Sequence, residues 1–338
     1  MKRFRHSLAI LLASLAAANL LSACGSPGSS DESALVIYSG RSEEFIAPFF
    51  ADFTEQTGIE LDIRYGDSAA LAAQILEEGE NSPADLFISQ DAGALGAVSA
   101  AGLLTALESP LLEKVAPNFR SPSLDWVGLT GRARVFAYSP ERVTELPKSV
   151  DELVLPKWRG RIAIAPTNAS FQAFVTAMVQ LKGEAATESW LRGMVANSPK
   201  YYEKNSLIVA AIDSGEVDAG LTNHYYIWEV AQELGRPIKV ANSFFAPGDV
   251  GNLINISGVA ILGTSSNQTR ATELITFLLS KETQEQFVKE TSEYSLVDPS
   301  LRPTEMISLN EIPAPSVNLA LLADLERTQR ILIRVGML

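Results

Sequence analysis

The sequence predicts an α/β protein with a doubly wound sheet, divided into two lobes. Strand-like and helix-like segments alternate in the order β-α-β-α-β between residues 35 and 88. That order favours a parallel sheet with helices on both faces. The chain has 338 residues, and even without a leader it exceeds what usually packs around one core. Two lobes are therefore expected.

The first 23 residues are typical of a lipoprotein signal peptide. Lys2, Arg3 and Arg5 precede an apolar run over residues 8–21 that is too short for a comfortable transmembrane helix. The stretch ending at Cys24 (Leu-Ser-Ala-Cys) resembles a bacterial lipobox, which implies cleavage before Cys24 and lipidation of its sulfur. We expect an exported protein on the periplasmic or extracellular face, attached to the membrane through the lipid alone. Ordinary secretion with an unmodified Cys24 is the alternative.

Residues 24–33 are predicted to be a flexible tether, because they are rich in Gly and Ser. The leader carries three of the 27 Lys and Arg residues and none of the 40 Asp and Glu, so its removal lowers the net charge from −13 to −16. Such an acidic surface argues against nucleic acid and anionic lipid as partners. Solubility alone would also explain it.

The N-terminal part of the mature chain predicts three strands and two helices. The strands are expected over residues 35–38, 59–65 and 84–88. One helix is expected to end at Gly58 and another to span residues 68–78. Ligands of such sheets bind beyond the carboxyl ends of the strands. Residues 39–42 and 89–91 occupy those positions.

The rest of the chain continues the alternation of strands and helices. Strands are expected over residues 131–138, 161–165, 217–222 and 254–262. Helices are expected over residues 171–181 and 271–279, and a further helix is expected to end at Gly235. Arg132 and Arg134 fall on one face of their strand, so both line a cleft or both meet solvent. The segment Asn168-Ala169-Ser170 precedes a helix, and free N–H groups at such a position favour an anion.

Two adjacent tyrosines, Tyr225 and Tyr226, follow a predicted strand and open a predicted helix. Asn223 is the expected N-cap of this helix, and the helix dipole lowers the cost of an ionised phenol in the first turn. Without its leader the chain keeps one histidine, His224, and no cysteine besides Cys24. A bound metal would need oxygen ligands, and paired phenolates suit a hard cation such as ferric iron.

The ordered motifs resemble those of one family over nearly the whole mature chain. The motifs are Tyr38-Ser39-Gly40-Arg41, Asn81-Ser82-Pro83-Ala84-Asp85, Ser89-Gln90-Asp91, Gly128-Leu129-Thr130-Gly131-Arg132, Trp158-Arg159-Gly160-Arg161, Lys204-Asn205-Ser206 and Asn223-His224-Tyr225-Tyr226. Taken together, they make the sequence resemble the periplasmic ferric-ion-binding proteins of the bacterial-transferrin-like kind, which are extracytoplasmic receptors of ABC importers.

The resemblance implies a type II periplasmic binding protein fold, in which two α/β lobes joined by two extended crossovers enclose a ligand cleft. Each lobe is expected to be discontinuous. The N-terminal lobe is predicted to comprise residues 34–129 and 256–304, and the C-terminal lobe residues 130–255 and 305–338. A monomer that hands its cargo to a membrane permease is expected.

The resemblance also implies roles for particular residues. Tyr225 and Tyr226 match paired tyrosinate ligands of ferric iron, and Asp91 is a candidate further ligand. A synergistic anion, phosphate or carbonate, would complete the coordination. Its expected partners are Asn168, Ala169, Ser170, Asn205, Asn223, Arg132 and Arg41, the last two because a guanidinium fork fits an oxyanion.

Two positions depart from the family pattern. Ser42 stands where some members have a histidine ligand, and Gln90 where they have a glutamate ligand. Asp91, anion oxygens and water would fill the coordination sphere, or the cleft takes an anionic organic solute such as a phosphonate without metal. Asp91 as a helix cap is the structural alternative for that residue.

Arg41 also has a structural alternative, an ion pair with Glu43 or Glu44. An enzyme is not expected, because the mature chain has no nucleophile elbow, no Cys–His pair and no P-loop.

Overall fold

The computed structural model describes residues 34–338, which form a mixed α/β structure with the alternation predicted from the sequence. The predicted signal peptide, tether and lipidation site at Cys24 lie outside the described residues. Within residues 34–338, no helix combines the length and apolar character needed to cross a membrane.

The described residues contain ten strands and eleven α-helices. The strands are β1 Leu35–Ser39, β2 Leu61–Tyr65, β3 Leu86–Ser89, β4 Trp126–Tyr138, β5 Ile162–Ile164, β6 Lys200–Tyr201, β7 Ala219–Asn223, β8 Ala241–Ser243, β9 Ile254–Ile261 and β10 Tyr294–Ser295. The helices are α1 Glu43–Thr57, α2 Ser68–Glu78, α3 Ala92–Ala100, α4 Ser109–Leu112, α5 Ala169–Lys182, α6 Glu184–Ala196, α7 Asn205–Ser214, α8 Tyr226–Leu234, α9 Gln268–Leu278, α10 Lys281–Thr291 and α11 Leu325–Arg334. Short 3₁₀ helices lie between several of them.

The strands are ordered β2-β1-β3-β9-β4-β7-β5-β6, with β8 and β10 as additional partners of β4. The predicted parallel pairing holds for β1 with β2 and β3, and for β5 with β6 and β7. It does not hold throughout. β9 is antiparallel to β3, and β4 is antiparallel to both β9 and β7. The sheet is therefore mixed. Its two parallel parts are joined by β9 and β4, which are antiparallel to each other and to their outer neighbours β3 and β7.

Strand β4 is 13 residues long and pairs with different neighbours along its length. Residues 126–133 pair with β9, whereas residues 134–138 pair with β7. The strand begins five residues before the start predicted at Gly131, because the Gly128-Leu129-Thr130 segment forms a bulge within the strand. The lobe boundaries near residues 130 and 255 remain a prediction.

Helix ends follow their local sequence signals. Gly58, at φ 72°, adopts the left-handed conformation that ends α1, as predicted. Helix α2 spans the predicted residues 68–78, and the Asp67 side chain caps it by accepting from the N–H groups of Ala69 and Ala70. This cap fixes the start of α2 at the carboxyl end of β2.

Two groups of buried apolar side chains stabilise the sheet. The larger one contains Phe49 and Phe287, which stack at 3.8 Å between ring centroids. The smaller one packs α7 against β4 and β5 and includes Ile208, Ile212 and Ala163. Strand β7 contributes Ala219 and Leu221 to the larger group, and its Gly220 lies against Ile208 of the smaller one.

Gly220 in β7 leaves no room for a side chain. A Cβ there would lie 2.4 Å from Ile208 Cγ2 and 2.9 Å from the carbonyl oxygen of Ala163. Gly220→Ala should lower the free energy of unfolding by about 1–3 kcal/mol, measured by urea denaturation. Gly263→Ala is the control, because its Cβ would have no neighbour closer than 3.4 Å. Equal midpoints for the two variants would contradict the packing described for β7.

Candidate metal and anion site

A cavity of about 350 Å³ collects most of the residues singled out in the sequence. They come from the ends of strands β3 and β7, from β4 and from the starts of α5 and α8. The predicted residues that line this cavity are Asp91, Arg132, Asn168, Ala169, Ser170, Asn223, Tyr225 and Tyr226. Residues far apart in sequence therefore meet in one polar space.

A second cavity of about 220 Å³ adjoins the first and shares Gln90 and the two tyrosines with it. Arg41, Ser42 and Glu293 also line it. Ser42 and Gln90, the two positions that depart from the family pattern, therefore both border the space beside the tyrosine pair.

The phenol groups of Tyr225 and Tyr226 lie close enough to share one ligand. Tyr225 Oη donates a hydrogen bond to Tyr226 Oη at 3.2 Å, and the ring centroids are 4.4 Å apart. Tyr225 is buried and Tyr226 is half-buried. Burial, with the neighbouring Tyr225 as a further cause, raises the pKa of Tyr226 above its usual value. Tyr226 is thus a neutral phenol at physiological pH until a cation displaces its proton.

Asn223 is not the N-cap predicted for the helix that follows. Helix α8 begins at Tyr226, its N-cap position is Tyr225, and no side chain caps it. Asn223 is instead the last residue of β7, where it pairs with Arg134 of β4. The prediction is wrong because pairing with β4 extends the strand past the expected boundary. Asn223 still lines the cavity.

His224 is fully buried, and backbone groups engage both of its ring nitrogens. Nδ1 accepts from the N–H of Ala133 at 3.2 Å, and Nε2 lies 2.8 Å from the carbonyl oxygen of Ser292, to which it donates. Burial lowers the pKa of His224 to about 4. The ring links β4 to the loop before β10 and has no nitrogen left for a metal.

The predicted anion loop is a hydrogen-bonded helix start. Asn168 is the N-cap of α5, and its Oδ1 accepts from the Ser170 N–H at 3.0 Å and the Ser170 hydroxyl at 2.6 Å. Asn205 Nδ2 donates to Ser170 Oγ at 3.0 Å, although Asn205 does not itself line the cavity. Asn168, Ser170 and Asn205, which the sequence analysis grouped as anion partners, contact one another in the structure.

Arg132 and Arg134 are both buried, which excludes the alternative that they face solvent. Arg132 lines the cavity and donates to the carbonyl oxygens of Gln90 and, at 3.3 Å, Ile256. Its Nε is buried without a hydrogen-bond partner among the described residues. Arg132 thus brings a positive charge to the cavity wall.

Arg41 lies apart from the anion loop. It forms a buried ion pair with Glu293 at 2.9 Å, so neither Glu43 nor Glu44 is its partner. Glu293 also accepts from the Thr130 hydroxyl at 2.6 Å. Since its charge is balanced and it faces the second cavity, Arg41 is poorly placed to contact an anion at α5.

Asp91 caps a helix, the alternative expected from the sequence. It is the N-cap of α3, and its Oδ1 accepts from the Ala94 N–H at 3.1 Å. It also lines the cavity, and burial raises its pKa above the usual value. Asp91 therefore caps α3 and lines the cavity at the same time.

Sequence reasoning missed several residues that line the cavity. Lys204 and Asn255 are examples, together with Asp67, Ser68, Thr167 and Glu203. Lys204 directly precedes Asn205 in one of the recognised motifs, which is the signal that could have indicated it. Asn255 pairs with Arg132 across β4 and β9, and that register cannot be deduced from the sequence.

Among residues 34–338, no group of three or more His, Cys, Asp and Glu side chains is arranged to hold a metal ion. The oxygen donors on the cavity wall include the phenols of Tyr225 and Tyr226 and the carboxylate of Asp91.

Comparison with protein families and curated relatives gives consistent results. A family model described as a bacterial extracellular solute-binding protein matches residues 81–308. The chain is 33% identical over 310 residues to the Fe(3+)-binding periplasmic protein of Serratia marcescens, covering 90% of this chain and 91% of that one. It is 36% identical over 308 residues to the major ferric iron-binding protein of Neisseria meningitidis serogroup A, covering 90% and 93%.

Among solved structures, the fold is similar to that of iron-bound HitA from Pseudomonas aeruginosa. The TM-score is 0.83 at 32% sequence identity, and the match covers 90% of this chain and 99% of HitA. The likeness thus extends over nearly all of the described residues.

The burial of His224 predicts a pH dependence of stability. Its pKa falls from 6.5 in the unfolded chain to about 4 in the folded protein, so only the unfolded state binds the proton between these values. Above pH 6.5 His224 does not lower the free energy of unfolding. As the pH falls towards 4, protonation of His224 in the unfolded state lowers the free energy of unfolding by about 3 kcal/mol in total. Urea denaturation of the metal-free protein against pH measures it. His224→Gln should flatten this part of the profile, and profiles of equal slope would contradict the assignment.

Proposed function

This chain belongs to the family of bacterial extracellular solute-binding proteins and has the two-lobe type II periplasmic binding protein fold, and we propose that it captures ferric iron for an ABC importer. The observation that carries the proposal is the tyrosine pair, with phenol oxygens 3.2 Å apart on the wall of a polar cavity. The named relatives, a Neisseria and a Serratia ferric-binding protein, match over 90% of the chain. The proposed activity is binding and release, without turnover.

In this proposal Tyr225 and Tyr226 are the protein ligands of Fe3+. Ferric iron is a hard cation that withdraws charge from a phenol and ionises it, as bound metals do for water and thiols. The raised pKa of Tyr226 means that iron binding must release a proton. Capture would therefore weaken in acid. Asp91, with one oxygen used as a helix cap, is the candidate for a further ligand.

A synergistic anion, phosphate or carbonate, is proposed to bind at the start of α5. The backbone N–H groups there would hold it, together with the side chains of Asn168, Ser170, Asn205 and Asn223. Arg132, which lines the same cavity, supplies positive charge. Arg41 is left out of this set because Glu293 neutralises it.

The coordination sphere in this proposal is completed by oxygens that the protein does not supply. The second cavity, bordered by Ser42 and Gln90, leaves about 220 Å³ beside the tyrosine pair. Water or further oxygens of the anion would fill that space. Fewer protein ligands would make iron binding more dependent on the anion.

Capture is proposed to proceed by closure of two lobes around the cleft. The N-terminal lobe would comprise residues 34–129 and 256–304 and carry Gln90 and Asp91. The C-terminal lobe would comprise residues 130–255 and 305–338 and carry the tyrosines and the anion loop. The closed, iron-loaded protein would act as a monomer that docks on a membrane permease.

Tyr226→Phe should weaken ferric binding by roughly 100-fold or more, since even loss of an outer-shell partner costs about 10–100-fold. The fold should be unaffected, because Tyr226 Oη only accepts a bond from Tyr225 and phenylalanine fills the same space. Competition with a chelator of known affinity measures the effect. Tyr201→Phe, at an exposed tyrosine on β6, is the matched control. Wild-type affinity in Tyr226→Phe would remove this ligand from the proposal.

The protein is proposed to be exported and held at the membrane surface by a lipid on Cys24. Cys24→Ser should move nearly all of the protein from the membrane fraction to the soluble extracytoplasmic fraction, because the lipid is the only proposed anchor. Fractionation with immunodetection measures the distribution, and Ser26→Ala in the tether is the control. An unchanged membrane fraction in Cys24→Ser would show that something else anchors the chain.

A further inference from the structure

Arg134 is a buried arginine that the proposed iron site does not yet use. It lies two residues after Arg132 on β4 and is 2% exposed. Its guanidinium donates to Ser170 Oγ at 3.2 Å and to the carbonyl oxygen of Leu221 at 3.1 Å. The guanidinium carbon lies 5.7 Å and 5.1 Å from the ring centroids of Phe171 and Phe174.

The charge of Arg134 has no counter-charge in the described part of the chain. No carboxylate between residues 34 and 338 forms an ion pair with it, and its Nε is buried without a hydrogen-bond partner. Arg41, by contrast, is equally buried but paired with Glu293. Burial lowers the pKa of Arg134 to about 9, so it remains charged at neutral pH. A buried, unbalanced cation is costly unless something compensates it.

Arg134 is linked to both halves of the proposed site. Through Ser170 it contacts the start of α5, where Asn168 and Asn205 converge on the same hydroxyl group. An ionised Tyr226 would raise the pKa of Arg134, which indicates that the two groups are close enough to interact electrostatically. Ser170 and Tyr226 line the 350 Å³ cavity, and Arg134 lies behind its wall, in contact with Ser170.

We propose that Arg134 is the buried counter-cation of the anion site: it positions the anion loop through Ser170 and attracts a small oxyanion to the protein before iron arrives. This inference rests on the proposed function for the place of the anion, and it adds an order of binding and a residue that sets it. The compensating charge is the bound oxyanion, joined later by the phenolates. Inorganic phosphate and bicarbonate are the two probes of suitable size and charge.

The test is calorimetric titration of the metal-free protein with phosphate and, separately, bicarbonate. Wild-type protein should bind at least one of them without iron. Arg134→Met should weaken this binding at least tenfold, whereas Arg134→Lys, which keeps the charge, should stay within about threefold of wild type. Arg142→Met is the control, because Arg142 pairs with Asp218 away from the cavity.

Three results would overturn the inference: a metal-free wild-type protein that binds neither anion, an Arg134→Met variant that binds as wild type does, or Met and Lys variants that are equally weak. The last result would show that Arg134 is only a structural link between β4, β7 and α5. If Arg134→Met does not fold, Ser170→Ala tests the contact with the arginine in place. It should weaken phosphate binding severalfold, and unchanged binding would overturn the inference.

Iron loading separates this inference from the proposed function. A wild-type protein that forms an iron–phenolate absorption band but binds anion independently of Arg134 keeps the proposed function and loses the inference. A wild-type protein that forms no such band but binds phosphate through Arg134 loses the proposed function and keeps the anion site.

Discussion

The change of partners along β4 is the constraint on which the rest of the structure depends. Up to Ala133 the strand pairs with β9, and from Arg134 onward it pairs with β7. Because β7 ends at Asn223, this register places the tyrosine pair against residues that follow β3 at the other side of the cavity. His224, bonded to the Ala133 N–H, fixes the junction. A slip of one residue would turn both arginines of β4 to the opposite face.

The charges around the cavity bear on which ligands the proposed site would hold. The phenol of Tyr226 is neutral before a cation binds, and Arg132 and Arg134 are buried and form no ion pair with a carboxylate among residues 34–338. The two arginines repel a metal ion, whereas the carboxylates of Asp67, Asp91 and Glu203 on the cavity wall attract it. In the proposed account an oxyanion satisfies the arginines first, and a highly charged cation then ionises the phenols. The anion is expected to bind without iron, and iron binding is expected to depend on the bound anion.

Much of this site could be predicted because its signals are local. Helix α2, the helix start at Asn168 and the tyrosine pair at a strand-to-helix junction depend on residues a few positions apart. The failures involve distant contacts. Arg41 pairs with Glu293, which lies 252 positions away, and no pattern near Arg41 indicates it. Asn223 was misplaced as a cap because its backbone pairs with Arg134. Tertiary pairing overrides local propensity in such cases.

The central claim is that Tyr225 and Tyr226 ligate ferric iron together. Its most direct test is a visible absorption titration of metal-stripped wild-type protein with chelated Fe3+, in the presence and absence of phosphate and carbonate. The account predicts a broad phenolate-to-iron charge-transfer band that saturates at one iron per protein and depends on the anion. Absence of the band under every condition would contradict the account and favour an anionic organic solute, with the tyrosines as part of its pocket wall.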